Sequence, residues 1–191
     1  MIPGSDKPDH YLDLYDSFFG VRREDPITLL ELGIATGASL RYWAEYFPNG
    51  MIVGLDWNPP LIDHPRIRTV RGNQSDISAL DLCGDAFDVI IDDCAHIGSI
   101  ARLSFERLFP KLHHGGIYAI EDWGTGYWAN WPDGEAYTPG HSAGMVGLVK
   151  DLVDNVATEN ISRGSLTGTA TESSQIRSMT VVNGLALMVK A

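Results

Sequence analysis

Two short stretches carry acids and a histidine at spacings that suit chemistry: Asp92-Asp93-Cys94-Ala95-His96 and Glu121-Asp122. Each follows an apolar run, Phe87 to Ile91 and Ile117 to Ile120, so each is expected at the tip of a strand. Two such strands, neighbours in one sheet, lie about 4.8 Å apart. Asp93, Glu121 and Asp122 would then gather at one edge of a crevice. Three carboxylates that close repel one another unless a cation holds them or some take up protons. Oxygen ligands alone favour a hard ion, Mg²⁺ before Ca²⁺, with water in the remaining positions. The same acids could instead turn into solvent or cap the following helices. His96 comes three residues after Asp93, one helical turn on, which puts it on the carboxylate side. A neutral imidazole there suits a general base near neutral pH. The alternative is a histidine that bonds locally at a helix start.

The stretch that must position these groups runs from Leu29 to Ser39, LLELGIATGAS. Ile27, Leu29, Leu30 and Leu32 suit a strand buried in a parallel sheet, and Ser39 to Phe47 has helical spacing. Strand, glycine turn and helix make the first crevice of an open α/β sheet, where such folds bind ligands. The dinucleotide pattern G-x-G-x-x-G fails: its positions fall on Glu31, Gly33 and Thr36. The pattern present is E-x-G-x-x-x-G, ending at Gly37. A carboxylate at Glu31 repels phosphate, disfavours a nicotinamide dinucleotide and suits a cationic ligand. A plain strand-turn-helix without a ligand is the alternative. Met51 to Leu55 is a second strand and ends in Asp56, about 20 residues past the turn, where an acid can accept hydrogen bonds from ribose hydroxyls. Asp56 could also be a solvated loop acid. Gly72-Asn73-Gln74-Ser75-Asp76 could bond an adenine edge through Gln74 or Asp76. It could also cap the helix begun at Ile77, through Ser75 and Asp76; both roles are expected.

The remaining elements frame that crevice. Asp9 to Phe19 reads as an amphipathic helix covering one side of the sheet, with Tyr11 or Tyr15 able to reach the crevice. Ile67 to Val70 is a short strand. A helix over 97–112 is bent or stopped by Pro110, with His113 and His114 in a solvated turn ahead of Gly115-Gly116. The stretch 123–144 is a long aromatic loop of the kind that forms lids. Met145 to Val156 is helical, 158–174 is a polar exposed connection, and Ser178 to Lys190 is a hairpin on a type I′ turn at Asn183-Gly184. At 191 residues this is one domain, 1–191. No apolar run reaches the roughly 20 residues of a membrane span, and the first residues hold no signal-peptide core. Two cysteines make no disulfide framework, so a cytoplasmic setting is expected. A net charge of −11 argues against nucleic acid and against anionic membranes. A small molecule is the expected partner, and a homo-oligomer stays open.

The motif at Glu31, Gly33 and Gly37 resembles motif I of the class I S-adenosylmethionine-dependent methyltransferases, whose ligand carries a sulfonium and an amino group. The stretches 26–33, 46–49, 54–56, 72–76, 91–96 and 120–128 resemble the metal-dependent macrolide-sugar O-methyltransferases, a group that includes the macrocin and mycinamicin enzymes and to which the cephalosporin hydroxylase family is related. The resemblance implies an α/β, doubly wound, mostly parallel seven-stranded Rossmann-like sheet with a C-terminal antiparallel hairpin. It implies S-adenosylmethionine bound near Glu31, Gly33, Gly37, Ser39, Asp56, Gln74, Ser75, Asp76 and Asp92. It implies Mg²⁺ on Asp93, Glu121 and Asp122, with His96 as base, and O-methylation of a small-molecule hydroxyl such as that of a natural-product sugar. Asn73 departs from the group, which often has an acid there. A cofactor-binding protein without turnover, or a metal-independent methyltransferase, is the alternative.

Overall fold

The structure, a computed structural model, describes residues 5–164 and 173–191. Its seven strands are β1 (Thr28–Leu32), β2 (Met51–Asp56), β3 (Ile67–Arg71), β4 (Phe87–Asp92), β5 (Leu112–Glu121), β6 (Ile176–Val182) and β7 (Leu185–Lys190). They form one sheet in the order β3-β2-β1-β4-β5-β7-β6. The first five are parallel, and β7 runs antiparallel to both β5 and β6. The chain reverses its direction of travel across the sheet between β1 and β4, the place where such sheets open a crevice. Leu32 pairs with Asp92, and Asp92 with Ile120. Gly33, Asp93 and Glu121 therefore leave three adjacent strand tips side by side.

Helices α1 (Asp9–Phe19) and α2 (Ala38–Tyr46) cover one face. Tyr11, Tyr15 and Phe19, spaced by four, bury one stripe of α1 with Trp43 and Phe47. Helices α3 (Ile77–Leu82), α4 (Gly98–Leu108) and α5 (Gly144–Val156) cover the other, packing Leu80, Ala101, Leu108, Leu148 and Leu152 on the sheet. No helix of the described residues is long and apolar enough to cross a membrane.

Four sequence expectations are corrected. The helix after β4 ends at Leu108, and a 3₁₀ turn over Phe109–Lys111 holds Pro110, which has no N–H to continue an α-helix. Leu112 is thereby freed to pair with Phe87, so β5 starts five residues early and carries the exposed His113 and His114. The pairing then jumps from Phe87↔Leu112 to Val89↔Ile117, and Gly115 takes a left-handed φ of 76° inside this bulge. The hairpin turn is not type I′, which needs positive φ at both central residues: only Gly184 is left-handed, at 77°. Tyr11 packs directly on that glycine, where a Cβ would lie 2.0 Å from its hydroxyl. Finally, Thr158–Arg163 is a short helix, α6, rather than open connection; of the rest of that stretch, 165–172 lies outside the described residues.

Candidate active site

The glycine turn after β1 is set by contact with β4. A Cβ on Gly33 would stand 2.1 Å from the Asp93 carbonyl oxygen and 2.7 Å from Cys94 Cα, so no side chain fits. Gly33 also has φ of 79°, the left-handed region that only glycine enters freely. Asp56 stitches the turn from the other side. Its Oδ2 accepts from the Ile34 and Ala35 amides at 3.1 and 3.2 Å, and its Oδ1 from Asn58 N at 2.9 Å. A cavity of about 660 Å³ opens here, lined by Gly33, Ser39, Asp56, Trp57 and Asp93, among others. That volume is in the range of a cofactor site.

The acids of β4 and β5 meet as expected from the strand order, but around a group the sequence reading overlooked. The ammonium of Lys7 lies 2.9 Å from Glu31 Oε1, 2.9 Å from Asp93 Oδ2 and 2.8 Å from Glu121 Oε1. The Lys7 side chain is almost wholly buried, and so are Glu31 and Glu121. Glu31 is wholly buried, with Lys7 as its charged partner and Ser39 beside it. Burial pulls the Lys7 pKa down, but the three carboxylates together hold it well above the ordinary lysine value. Burial likewise lifts Glu31 and Glu121 above the usual carboxylate range, against the pull of Lys7.

A second set of donors shares Asp93. Asp93 Oδ1 lies 3.8 Å from His96 Nε2, and Asp122 Oδ2 lies 3.9 Å from the same nitrogen. One ligand atom from each of Asp93, His96 and Asp122 falls within 4.8 Å of the others. The site fits a divalent cation on one observation: carboxylate oxygens of Asp93 and Asp122 converge beside the His96 imidazole. Glu121 itself is turned toward Lys7 and Tyr15, whose hydroxyl donates to Oε1 at 2.7 Å. Tyr11 donates to Asp122 Oδ1 at 2.8 Å.

His96 reaches the carboxylates by a different route from the helical spacing expected. Helix α4 begins two residues later, and His96 is left-handed with φ of 48°. The aromatic loop holds it there. Its carbonyl accepts from Trp131 Nε1 at 2.8 Å and Thr125 Oγ1 at 3.2 Å. Asp133 Oδ2 accepts from Gly98 N at 2.7 Å, fixing the next turn. The His96 ring Nδ1 is buried with no hydrogen-bond partner among the described residues.

Several expected cofactor residues stand away from the cavity lining. Gln74 and Asp92 are buried and bonded to each other, Nε2 to Oδ1 at 2.6 Å, and Gln74 Oε1 accepts from Ala95 N at 3.0 Å. Burial pushes Asp92 up to about 7, against these bonds. Ser75 bonds Asn73 Oδ1, and Asp76 caps α3 by accepting from Ser78 N at 2.9 Å. Gly37 opens α2 in the left-handed region, and Glu31 lies beneath the turn. The sequence reading missed Lys7, Asp6 and Trp57. For Lys7 the available signal is a lone cation, Asp6-Lys7-Pro8-Asp9, four residues ahead of Tyr11.

The strand order, the antiparallel closing hairpin and a crevice beside a glycine turn are those of the class I methyltransferase fold, and comparison with solved structures agrees. The chain overlays the mycinamycin-pathway methyltransferase MycE in complex with Mg, SAH and mycinamycin VI with a TM-score of 0.80 at 34% identity, covering 95% of this chain and 49% of that one. No family model matches. Its homologues are sugar O-methyltransferases of the macrocin and mycinamicin group. Mycinamicin VI 2''-O-methyltransferase of Micromonospora griseorubida is 39% identical over 153 residues, 74% of this chain and 38% of that protein. Demethylmacrocin O-methyltransferase of Streptomyces fradiae is 37% identical over 163 residues, 79% of this chain and 41% of that protein. The chain thus spans about two-fifths of the length of these curated relatives.

Proposed function

We propose that the chain is an S-adenosylmethionine-dependent, Mg²⁺-dependent O-methyltransferase domain acting on a hydroxyl of a natural-product sugar. The observation that carries the reading is Asp93, which lines the cofactor cavity with its backbone neighbours and offers a carboxylate to the acidic group beyond it. Donor and acceptor sites thus share one wall. Gly33, Ser39 and Asp56 form the cofactor side, with Glu31, Gln74 and Asp92 as struts beneath it. Asp93, Asp122 and Glu121 would hold the ion. Magnesium, when bound, supplies positive charge that makes a neighbouring hydroxyl more acidic. His96 Nε2 takes the proton released as that hydroxyl attacks the sulfonium methyl. The rest is alignment of the two reacting atoms. The net charge of −11 supports a small-molecule acceptor over nucleic acid, and the two free thiols fit a cytoplasmic setting.

The test is calorimetry with S-adenosylhomocysteine and Mg²⁺, followed by methylation of sugar-bearing acceptors. Asp93→Asn is expected to abolish Mg²⁺ binding and turnover and to leave cofactor binding largely intact. Full turnover in excess EDTA overturns the ion's role. One observation favours a second reading, a cofactor-binding domain without turnover: Lys7 already offsets part of the charge between Asp93 and Glu121. S-adenosylhomocysteine binding without any Mg²⁺ binding would select it.

A further inference from the structure

Lys7, Tyr11 and Tyr15 stand four residues apart, and all three reach the acids at the tips of β4 and β5. Each holds a particular oxygen. Lys7 Nζ takes Asp93 Oδ2 at 2.9 Å, Tyr11 takes Asp122 Oδ1 at 2.8 Å, and Tyr15 takes Glu121 Oε1 at 2.7 Å, an oxygen it shares with Lys7 at 2.8 Å. The other oxygens of Asp93 and Asp122 face His96. Packing alone does not call for these hydroxyls. Phe19, next in the same stripe, sits against Trp43 and Phe47 with none. A carboxylate that ligates an ion well has one oxygen fixed from behind and the other free, and such outer partners set ligand orientation.

We propose that this face of α1, with its lead-in, is the outer shell of the divalent-ion site. Tyr11 and Tyr15 are positioning residues for Asp122 and Glu121, and Lys7 completes the row at Asp93. The proposal rests on the ion-dependent reading above. Neither tyrosine lines the cofactor cavity, so loss of a hydroxyl separates ion binding from cofactor binding.

The experiment titrates Mg²⁺ calorimetrically into the full chain saturated with S-adenosylhomocysteine, and measures S-adenosylhomocysteine affinity on its own. It compares wild type, Tyr11→Phe, Tyr15→Phe and Phe19→Leu. The last loosens the same stripe without touching an acid. Mg²⁺ affinity is expected to fall about tenfold or more in each tyrosine variant, with S-adenosylhomocysteine affinity unchanged. Phe19→Leu is expected to melt lower and bind Mg²⁺ as wild type does. Wild-type Mg²⁺ affinity in both tyrosine variants overturns the proposal, as does an equal loss in Phe19→Leu. A wild-type chain that binds S-adenosylhomocysteine but no Mg²⁺ overturns the ion-dependent reading, and this proposal with it.

Discussion

Of the places where acids meet cations among the described residues, one interior and one surface group share similar distances, and burial makes the two behave in opposite ways. In the interior, Lys7 faces Glu31, Asp93 and Glu121 at 2.8 to 2.9 Å. On the surface, Asp81 takes Arg107 Nε at 2.7 Å and Lys111 Nζ at 3.0 Å, with Asp85 also on Lys111 at 3.3 Å. The distances are alike. The surface acid, with Arg107 as its main partner and Lys111 second, is pulled down to about 2. The interior glutamates are pushed up. Outside, water already solvates the carboxylate and its partners only add to that. Inside, the lost solvation outweighs one ammonium shared among three acids. Fully ionised, the interior group would set three negative charges against one positive, an excess that either protons or a divalent ion can offset. The surface group has two cations for two acids and no such need.

The largest expected effect comes from removing the interior cation. Lys7→Met leaves buried Glu31 and Glu121 without a counter-charge, a change that costs about 3–5 kcal/mol by urea unfolding. The pH dependence follows from the direction of the shifts. The folded-state pKa values of these glutamates lie above their unfolded values, so the folded chain holds protons that the unfolded chain releases. Stability from this source falls as pH rises through that interval. Without Lys7 the interval widens. The deficit is expected to be deepest at about pH 8 and to shrink toward about pH 5. An equal deficit at both would mean that Lys7 acts through packing alone.

Next in size is Mg²⁺ itself. An ion that binds only the folded chain stabilises it by about 2.7 kcal/mol at a hundred times its Kd. With S-adenosylhomocysteine present, added Mg²⁺ is expected to raise the thermal midpoint of wild type and of Asp81→Asn, and not that of Asp93→Asn. A rise lost in Asp81→Asn as well would show that acidity in general, rather than the interior group, draws the ion. Smaller again is Trp131→Phe, which removes the donor to the His96 carbonyl but keeps a ring. A loss of about 1 kcal/mol is expected, with slower turnover and unchanged S-adenosylhomocysteine affinity. Unchanged turnover would leave the Trp131 indole no part in placing His96.

The contrast also explains what could be read in advance. Apolar runs at Leu29–Leu32, Ile52–Leu55 and Val89–Ile91 report directly on a sheet buried on both faces. Their order fixes which tips are neighbours, so the meeting of Asp93 with Glu121 was legible from the chain. Gly33 was legible because backbone geometry at a close crossing admits little else. Which oxygen turns toward which partner was not. That is decided by long-range contacts such as Lys7 to Glu121 and Trp131 to His96, 114 and 35 residues apart in sequence, which leave no local periodicity. His96 shows the limit well. Helical spacing put it on the right side, yet a left-handed residue outside the helix does so in fact. The early start of β5 was hidden for the same reason: pairing with Phe87 overrides the turn chemistry of Gly115-Gly116.

The smallest effect belongs to the surface group, and its value lies in its sign. Asp81 has its folded pKa depressed, so its contribution is present above the unfolded value of roughly 3.9 and is lost as pH falls toward 2. Asp81→Asn is therefore expected to lower stability slightly near neutrality and to match wild type in strong acid. Salt should shrink the difference, since exposed charges are screened over about 10 Å at 0.1 M. The Lys7→Met deficit should ignore salt, because water and ions do not reach a side chain 2% exposed. Chemical unfolding in urea at low and high NaCl separates the two. If both deficits faded together with salt, the interior group would be wetter than its burial implies, and its excess charge would lose its claim on an ion.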